Sequence, residues 1–195
     1  MVLELERPPG FTFLPGQSIR IMLDGLERDY SLCSGIREET LRLLLGLRGP
    51  GSMPARLLGL HAGSPLSFEG PHGFFLYEES ALPAVFAATG VGVAPVLSMV
   101  RSGLRGFALL YGVREPAELH FREELASAAD CVVPCISRGT ARGVFSGRVT
   151  AWTVAHLPPG RYSFYLSGRR EMVRDMTLLV DERFAGSLLH TEIFF

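Results

Sequence analysis

Apolar residues in the first half of the chain come in short runs at 18–23, 41–47 and 66–69, separated by Gly and Pro. Such runs read as short strands. Pro8-Pro9-Gly10, Pro15-Gly16 and Gly70-Pro71 punctuate them as turns. The only helix-like insertion is 54–60, so this half predicts an antiparallel β-barrel. From about residue 84 the texture changes. Strand-like apolar runs at 84–88, 107–111, Cys131–Ile136 and 163–166 alternate with helical patterns at 95–101, 116–128, Val149–His156 and 171–184. Strand–helix alternation implies a parallel sheet covered on both faces, with ligands at the carboxyl ends of its strands. The boundary falls near 78–82, which divides the chain into a barrel domain over residues 1–78 and an α/β domain over 79–195. No internal repeat or low-complexity tract is visible.

Ala88-Thr-Gly-Val-Gly-Val-Ala-Pro95 is the stretch with the most chemistry in it. It follows an apolar strand and opens a helix, an arrangement that aims backbone N–H groups at a phosphate. Gly90 and Gly92 would let the backbone approach a pyrophosphate where a Cβ would clash. Pro95 suits a first helical turn, where its missing N–H has no internal partner to lose. The spacing is not the six-position dinucleotide fingerprint, and a tight βα turn without a ligand explains the same residues.

Composition narrows the classes without choosing among them. With 195 residues, 47% hydrophobic and 20% charged, the chain has room for two small domains. A formal net charge of −1 gives no electrostatic case for nucleic acid or an anionic membrane. Three cysteines, Cys33, Cys131 and Cys135, are too few for a disulfide framework and suit a cytoplasmic, reducing compartment. They also cannot supply four thiolates to an iron–sulfur cluster. Residues 80–100 carry no charge and are long enough to cross a bilayer, but Pro83, Gly90, Gly92 and Pro95 would break such a helix. A buried strand and a glycine turn explain the run, and no membrane span is expected. Glu4, Glu6 and Arg7 occupy the place of the apolar core of a secretory signal.

Arg28-Asp29-Tyr30-Ser31, the 88–95 turn, Tyr111-Gly-Val-Arg114 and Tyr165-Leu-Ser-Gly168 with Met172 follow one another along the chain. In that order they resemble the ferredoxin–NADP+ reductase family of flavin-dependent electron transferases, from about Phe13 to the C-terminus. The resemblance implies an FAD-binding barrel, with FMN the lesser alternative, and an NAD(P)-binding α/β domain. It places Arg28 at the flavin pyrophosphate, Tyr30 against the isoalloxazine, and Ser31 or its N–H at the ring's N5. Strand alternation puts Arg28 and Tyr30 on one face, and a guanidinium suits a pyrophosphate. Gly49-Pro-Gly51-Ser52 resembles the family's second phosphate loop; Ser52 can cap the following helix as readily as it can donate to a phosphate. Gly70-Pro-His-Gly-Phe74 resembles a Gly-Pro-x-Gly-x-Phe turn, read here as structural, with His72 a solvated turn residue. The family begins with a further barrel strand, about ten to twenty residues upstream of Met1. The barrel is therefore expected to lack its first strand or to have it supplied elsewhere.

In the second domain the resemblance places Thr89, Gly90, Gly92 and Pro95 at the nicotinamide nucleotide's pyrophosphate and Arg114 near that nucleotide. A solvent-facing arginine ahead of Pro116 accounts for Arg114 equally well. Ser137-Arg138 matches the pair that grips the 2′-phosphate in members preferring NADPH, so NADPH is favoured over NADH; Arg142 adds charge, and Phe145 stands where an adenine-stacking tyrosine is common. Ser167-Gly168 replaces the family's Cys-Gly, putting the Ser167 hydroxyl where a thiol would sit beside nicotinamide C4. Arg169 and Arg170 depart from the usual small residues. Glu192 and Phe194, in the acidic-then-aromatic tail that ends at Phe195, are placed near the reacting rings. The catalytic set implied is Ser31, Ser167 and Glu192. The activity implied is hydride transfer from NAD(P)H to FAD and onward electron transfer to a ferredoxin or iron–sulfur protein on a separate chain. A free-flavin reductase and a non-catalytic flavin-binding electron-transfer subunit remain as alternatives.

Overall fold

The two halves form different kinds of sheet because their strands are buried differently. A computed structural model describes residues 1–46 and 49–194. Their contacts group them into two units: Met1–Tyr77 with Ala94–Ser102, and Glu78–Val93 with Gly103–Phe195.

In the first unit the strands are half-buried and antiparallel. β1 (Val2–Glu6) pairs with β4 (Thr40–Leu44), while β2 (Ser18–Leu23) lies between β3 (Leu26–Ser31) and β5 (Ser67–His72). A bridge from Leu32 to Leu43 links the two sheets. Ile19, Ile21, Leu41 and Leu43 turn inward from both sheets onto Phe13, Met53 and Leu57, with Leu3, Leu5 and Phe68 at the margin. Antiparallel sheets wrapped on one shared core are the architecture the first half of the sequence implies. The strand expected over 41–47 ends at Leu44, and Leu47 lies outside the described residues. The β2–β3 hairpin closes on Asp24-Gly25, both at positive φ (50° and 74°), as a type I′ turn requires.

α1 (Met53–Leu58) follows Ser52, and α2 (Ala94–Arg101) belongs to this unit by its contacts. The Ser98 hydroxyl donates to Ser34 O (2.8 Å) and the Arg101 guanidinium to Cys33 O (2.7 Å). Gly35 must be glycine there, since a Cβ would lie 2.7 Å from Arg101 O. Gly70-Pro71, expected as a turn, lies within β5; beyond that strand Phe75 is buried and Phe74 is 96% exposed.

The second unit is one parallel sheet of six strands, in the order β11 (Leu188–Phe194), β10 (Ser163–Arg169), β6 (Ala84–Thr89), β7 (Ala108–Val113), β8 (Cys131–Ile136) and β9 (Phe145–Ser146). β6 is buried at every position but its last, as expected of a parallel strand covered on both faces. On one face Val85, Ala87, Leu110, Phe164 and Leu166 pack with Met172, Val173, Met176 and Val180 of α5 (Arg170–Arg183) and Val149 of α4 (Val149–His156). On the other, Phe86 stacks on Tyr165 (4.6 Å) and Tyr165 on His190 (4.4 Å), three rings in register across adjacent strands.

One helix expectation needs correction. The helix anticipated over 116–128 is broken: a 3₁₀ turn at Pro116–Glu118 precedes α3 (Arg122–Ala126), and Phe121 between them has φ 58°. The Glu118 carboxylate accepts from Arg114 N (2.7 Å) and closes the first turn before a longer helix can propagate. The C-terminal segment docks, as expected, and does so as β11, the edge strand of this sheet; Phe195 lies outside the described residues.

Candidate functional site

Chain order along the sheet reverses beside β6. The strands run outward from β6 through β7 and β8 to β9, then resume on its other side with β10 and β11. Such a reversal leaves a crevice beyond the carboxyl ends of the two central strands. The sequence places Thr89 and the Gly90–Val93 3₁₀ turn at one of those ends and Ser167, Gly168 and Arg169 at the other.

The contacts there are close and reciprocal. The Ser167 hydroxyl donates to Gly92 O at 2.7 Å, and Arg169 N donates to the Thr89 hydroxyl at 3.0 Å. A Cβ on Gly92 would stand 2.5 Å from Ser167 O, and one on Gly168, whose φ is 131°, would overlap the Thr89 hydroxyl. The two glycines of the turn therefore have different reasons to be glycine. Gly92 admits β10. Gly90 has φ 56°, and a Cβ there would meet nothing within 4 Å, so its backbone faces open space. Pro95 sits in the first turn of α2, buried.

Ser167 is wholly buried and its hydroxyl is committed to the turn. Its strand neighbour Glu192 is half-buried on β11, and Phe194, half-buried, pairs in register with Arg169.

At the next strand ends, Ser137 N and its hydroxyl both donate to Val113 O (3.1 and 3.4 Å), and Arg138 N donates to Arg114 O (2.8 Å). These bonds set Arg114 and Arg138, both exposed, on adjacent loops. Arg122, which no sequence motif indicates, brings its guanidinium to 3.8 Å from the Cβ position of Gly143 in the same loop region. It stands at the start of a short helix after a break, where local pattern offers nothing to find it by. Phe145 packs edge-on to His156 (5.7 Å) and against the sheet core, so its ring is already engaged.

In the first unit, Arg28 and Tyr30 share one face of β3 by alternation, with Arg28 exposed and Tyr30 half-buried. Arg20 is taken up by Asp29 in a two-pronged pair (2.8 and 2.9 Å) that holds the Asp29 carboxyl below its ordinary pKa, chiefly through that hydrogen bond. Arg28 meets no carboxylate among the described residues and donates to Glu27 O (2.8 Å). Ser31, buried, pairs with Ser18, which pairs with His72 of β5, so these three positions share one end of the sheet. Gly51 has φ 78°. Ser52 stands at the N-cap of α1 without making the capping bond, and its buried hydroxyl has no partner among the described residues. The local capping role that would explain Ser52 is thus not filled.

Neither buried thiol is poised to react: burial pushes Cys33 up to about 11 and Cys135 up to about 12. No helix among the described residues is long and apolar enough to cross a membrane.

Residues 86–177 match the family model described as an oxidoreductase NAD-binding domain. The chain is 32% identical over 172 residues to ferredoxin–NADP reductase B of Sorangium cellulosum, covering 80% of this chain and 70% of that protein. It is 30% identical over 189 residues to the reductase component of propane 2-monooxygenase from Rhodococcus jostii, covering 85% of this chain and 51% of that one. Among solved structures, a cytochrome P450 reductase from Amycolatopsis superposes with a TM-score of 0.86 at 27% identity, over 99% of this chain and 64% of that one. Several curated relatives are much longer: the chain spans 33%, 51% and 42% of three of them.

Proposed function

The chain belongs to the ferredoxin–NADP+ reductase family, and from that premise we propose that it is a flavoprotein reductase, passing electrons from NAD(P)H through FAD to a protein acceptor. The observation that carries this reading is the glycine turn set where strand order reverses, with Gly90 open to a ligand and Gly92 closed against β10. When bound, the flavin supplies the conversion of a two-electron hydride donor into single electrons. The protein's part is to hold and orient. Arg28, which meets no carboxylate among the described residues, offers its guanidinium to the flavin pyrophosphate, Tyr30 a ring for the flavin plane, and Ser31 a polar group at the end of β3. Gly51 and the Ser52 hydroxyl, which has no partner among the described residues, fit a second phosphate contact. In the second unit Thr89, Gly90 and Gly92 offer the turn for the nucleotide pyrophosphate, and Pro95 opens the helix that follows it in sequence. Glu192 and Phe194 are proposed to border the reacting rings. The protein acceptor fits the oxygenase-reductase relatives, which are named as components of larger systems.

The purified protein is expected to be yellow, with flavin bands that bleach on anaerobic addition of NADPH. A colourless preparation that takes up neither FAD nor FMN would refute the reductase reading. A second reading, a flavin-binding electron-transfer subunit without hydride chemistry, is favoured by the engagement of Ser167 with Gly92 O. It predicts a yellow protein that neither NADPH nor NADH bleaches. Flavin lost on gel filtration would instead point to a reductase of free flavin.

NADPH is proposed as the preferred donor because Arg138 lies in the Ser137–Gly143 loop, its N–H bonded to Arg114 O, and the Arg122 guanidinium comes near Gly143 in that loop, so that guanidinium forks could match a phosphate dianion. Arg138→Ala should raise KM for NADPH by about tenfold or more, the scale of one lost charge-assisted contact of ~1.5 kcal/mol, and leave KM for NADH nearly unchanged. Equal effects on both donors would mean that Arg138 supports the loop and does not read the phosphate.

A further inference from the structure

We propose that Ser167 is a positioning residue: its hydroxyl pins the Gly90–Val93 turn to the end of β10 and so fixes the backbone that receives the nicotinamide nucleotide. The inference rests on reading that turn as the nucleotide site. It departs from the role that a residue at the Cys-Gly position would have if its side chain faced the nicotinamide.

Three observations converge. The bond from Ser167 Oγ to Gly92 O is 2.7 Å, at the optimum for O–H···O, and Ser167 is fully buried, so water does not compete for it. Gly92 lies so close to Ser167 and Gly168 that the turn and the strand end can only move together. A second tie, Arg169 N to the Thr89 hydroxyl, closes the same junction from the other side. The turn is thus held at two points, at Thr89 just before it and at Gly92 within it. Between them Gly90, at φ 56°, presents its backbone to open space.

A hydroxyl suits this task better than a thiol. S–H is a weak donor, and sulfur makes longer contacts than the 2.7 Å that Gly92 O requires. Serine here keeps the turn in register at the cost of a polarisable group. The effect of losing the bond falls on nucleotide binding, because a turn that wanders must be reordered each time the ligand binds. Once the nucleotide is bound, the chemistry is unaffected.

Ser167→Cys and Ser167→Ala, compared with the wild type, test this. NADP+ affinity by calorimetry should fall in the order serine, cysteine, alanine, with the alanine variant weakened by about tenfold, the equivalent of one buried hydrogen bond of ~1.4 kcal/mol. KM for NADPH with ferricyanide as acceptor should rise in the same order, with kcat at saturation nearly constant. Amide exchange of the Gly90–Val93 turn, measured without nucleotide, should quicken in both variants. Should alanine prevent folding, the cysteine variant fills the space and still lacks the short bond. A cysteine variant that binds NADP+ as tightly as serine, or a change in kcat with KM constant, would overturn the proposal and return Ser167 to the reacting atoms. A wild-type chain that binds no NADP+ would remove the nucleotide reading instead. Amide exchange would then decide the clamp alone, and unchanged protection in Ser167→Ala would refute it.

Discussion

Replacing Gly92 with alanine is expected to abolish NADP+ binding and to destabilise the protein far more than the same exchange at Gly90. The added Cβ would stand 2.5 Å from Ser167 O and 2.6 Å from Gly168 Cα, both main-chain atoms of a central strand. Neither is the far end of a flexible side chain, so no rotamer change relieves the overlap. The turn must lift away from β10, and that breaks the Ser167 bond to Gly92 O as well. The cost belongs at the upper end of the ~1–3 kcal/mol typical of overpacking, a fall in Tm of about 5–10 °C for a chain of this size. Gly90→Ala meets nothing within 4 Å and carries only the penalty of a left-handed backbone, about 1 kcal/mol. Thermal unfolding and NADP+ titration of the two variants check this. A Gly92→Ala protein as stable as Gly90→Ala would show that the turn is not packed on β10.

Arg28→Ala should yield protein that purifies largely without flavin, with FAD affinity reduced by about tenfold to a hundredfold, the range for one lost charge-assisted contact. The neighbouring Arg20 cannot substitute, because Asp29 holds it at 2.8 Å on the same hairpin. Arg28 has no such carboxylate among the described residues, so its charge is available to a ligand. Arg20→Ala is the matched control: it removes an exposed ion pair of small worth and should leave flavin content intact. Equal flavin retention by both variants at limiting FAD would take Arg28 out of the site.

Much of the architecture is written in local pattern. The apolar run Cys131–Ile136 and the helical period of Val149–His156 coincide with β8 and α4, since burial on both faces and a 3.6-residue repeat leave their mark within a few residues of sequence. The hairpin of β2 and β3 is local too, closing on Asp24-Gly25, a signal that the reading of apolar runs does not use. The order of motifs from Arg28-Asp29-Tyr30-Ser31 to Ser167-Gly168 was enough to indicate the family. The broken helix after Pro116 was not legible, because the period of its apolar residues persists across a break made by the Glu118 carboxylate at 2.7 Å from Arg114 N.

What the sequence determined by itself, then, is the class of each half and the strand–turn–helix order around Gly90, because those follow from neighbours along the chain. Which glycine is open and which is closed, where the Ser167 hydroxyl goes, and which arginine-bearing loops lie side by side were decided only by tertiary structure. Gly92 and Ser167 stand 75 positions apart, and Arg114 and Arg138 meet only because β7 and β8 are adjacent in the sheet. A motif specifies residue types at a spacing. The direction in which a hydroxyl points depends on a partner that parallel pairing brings in from a distant strand, and no local pattern encodes that partner.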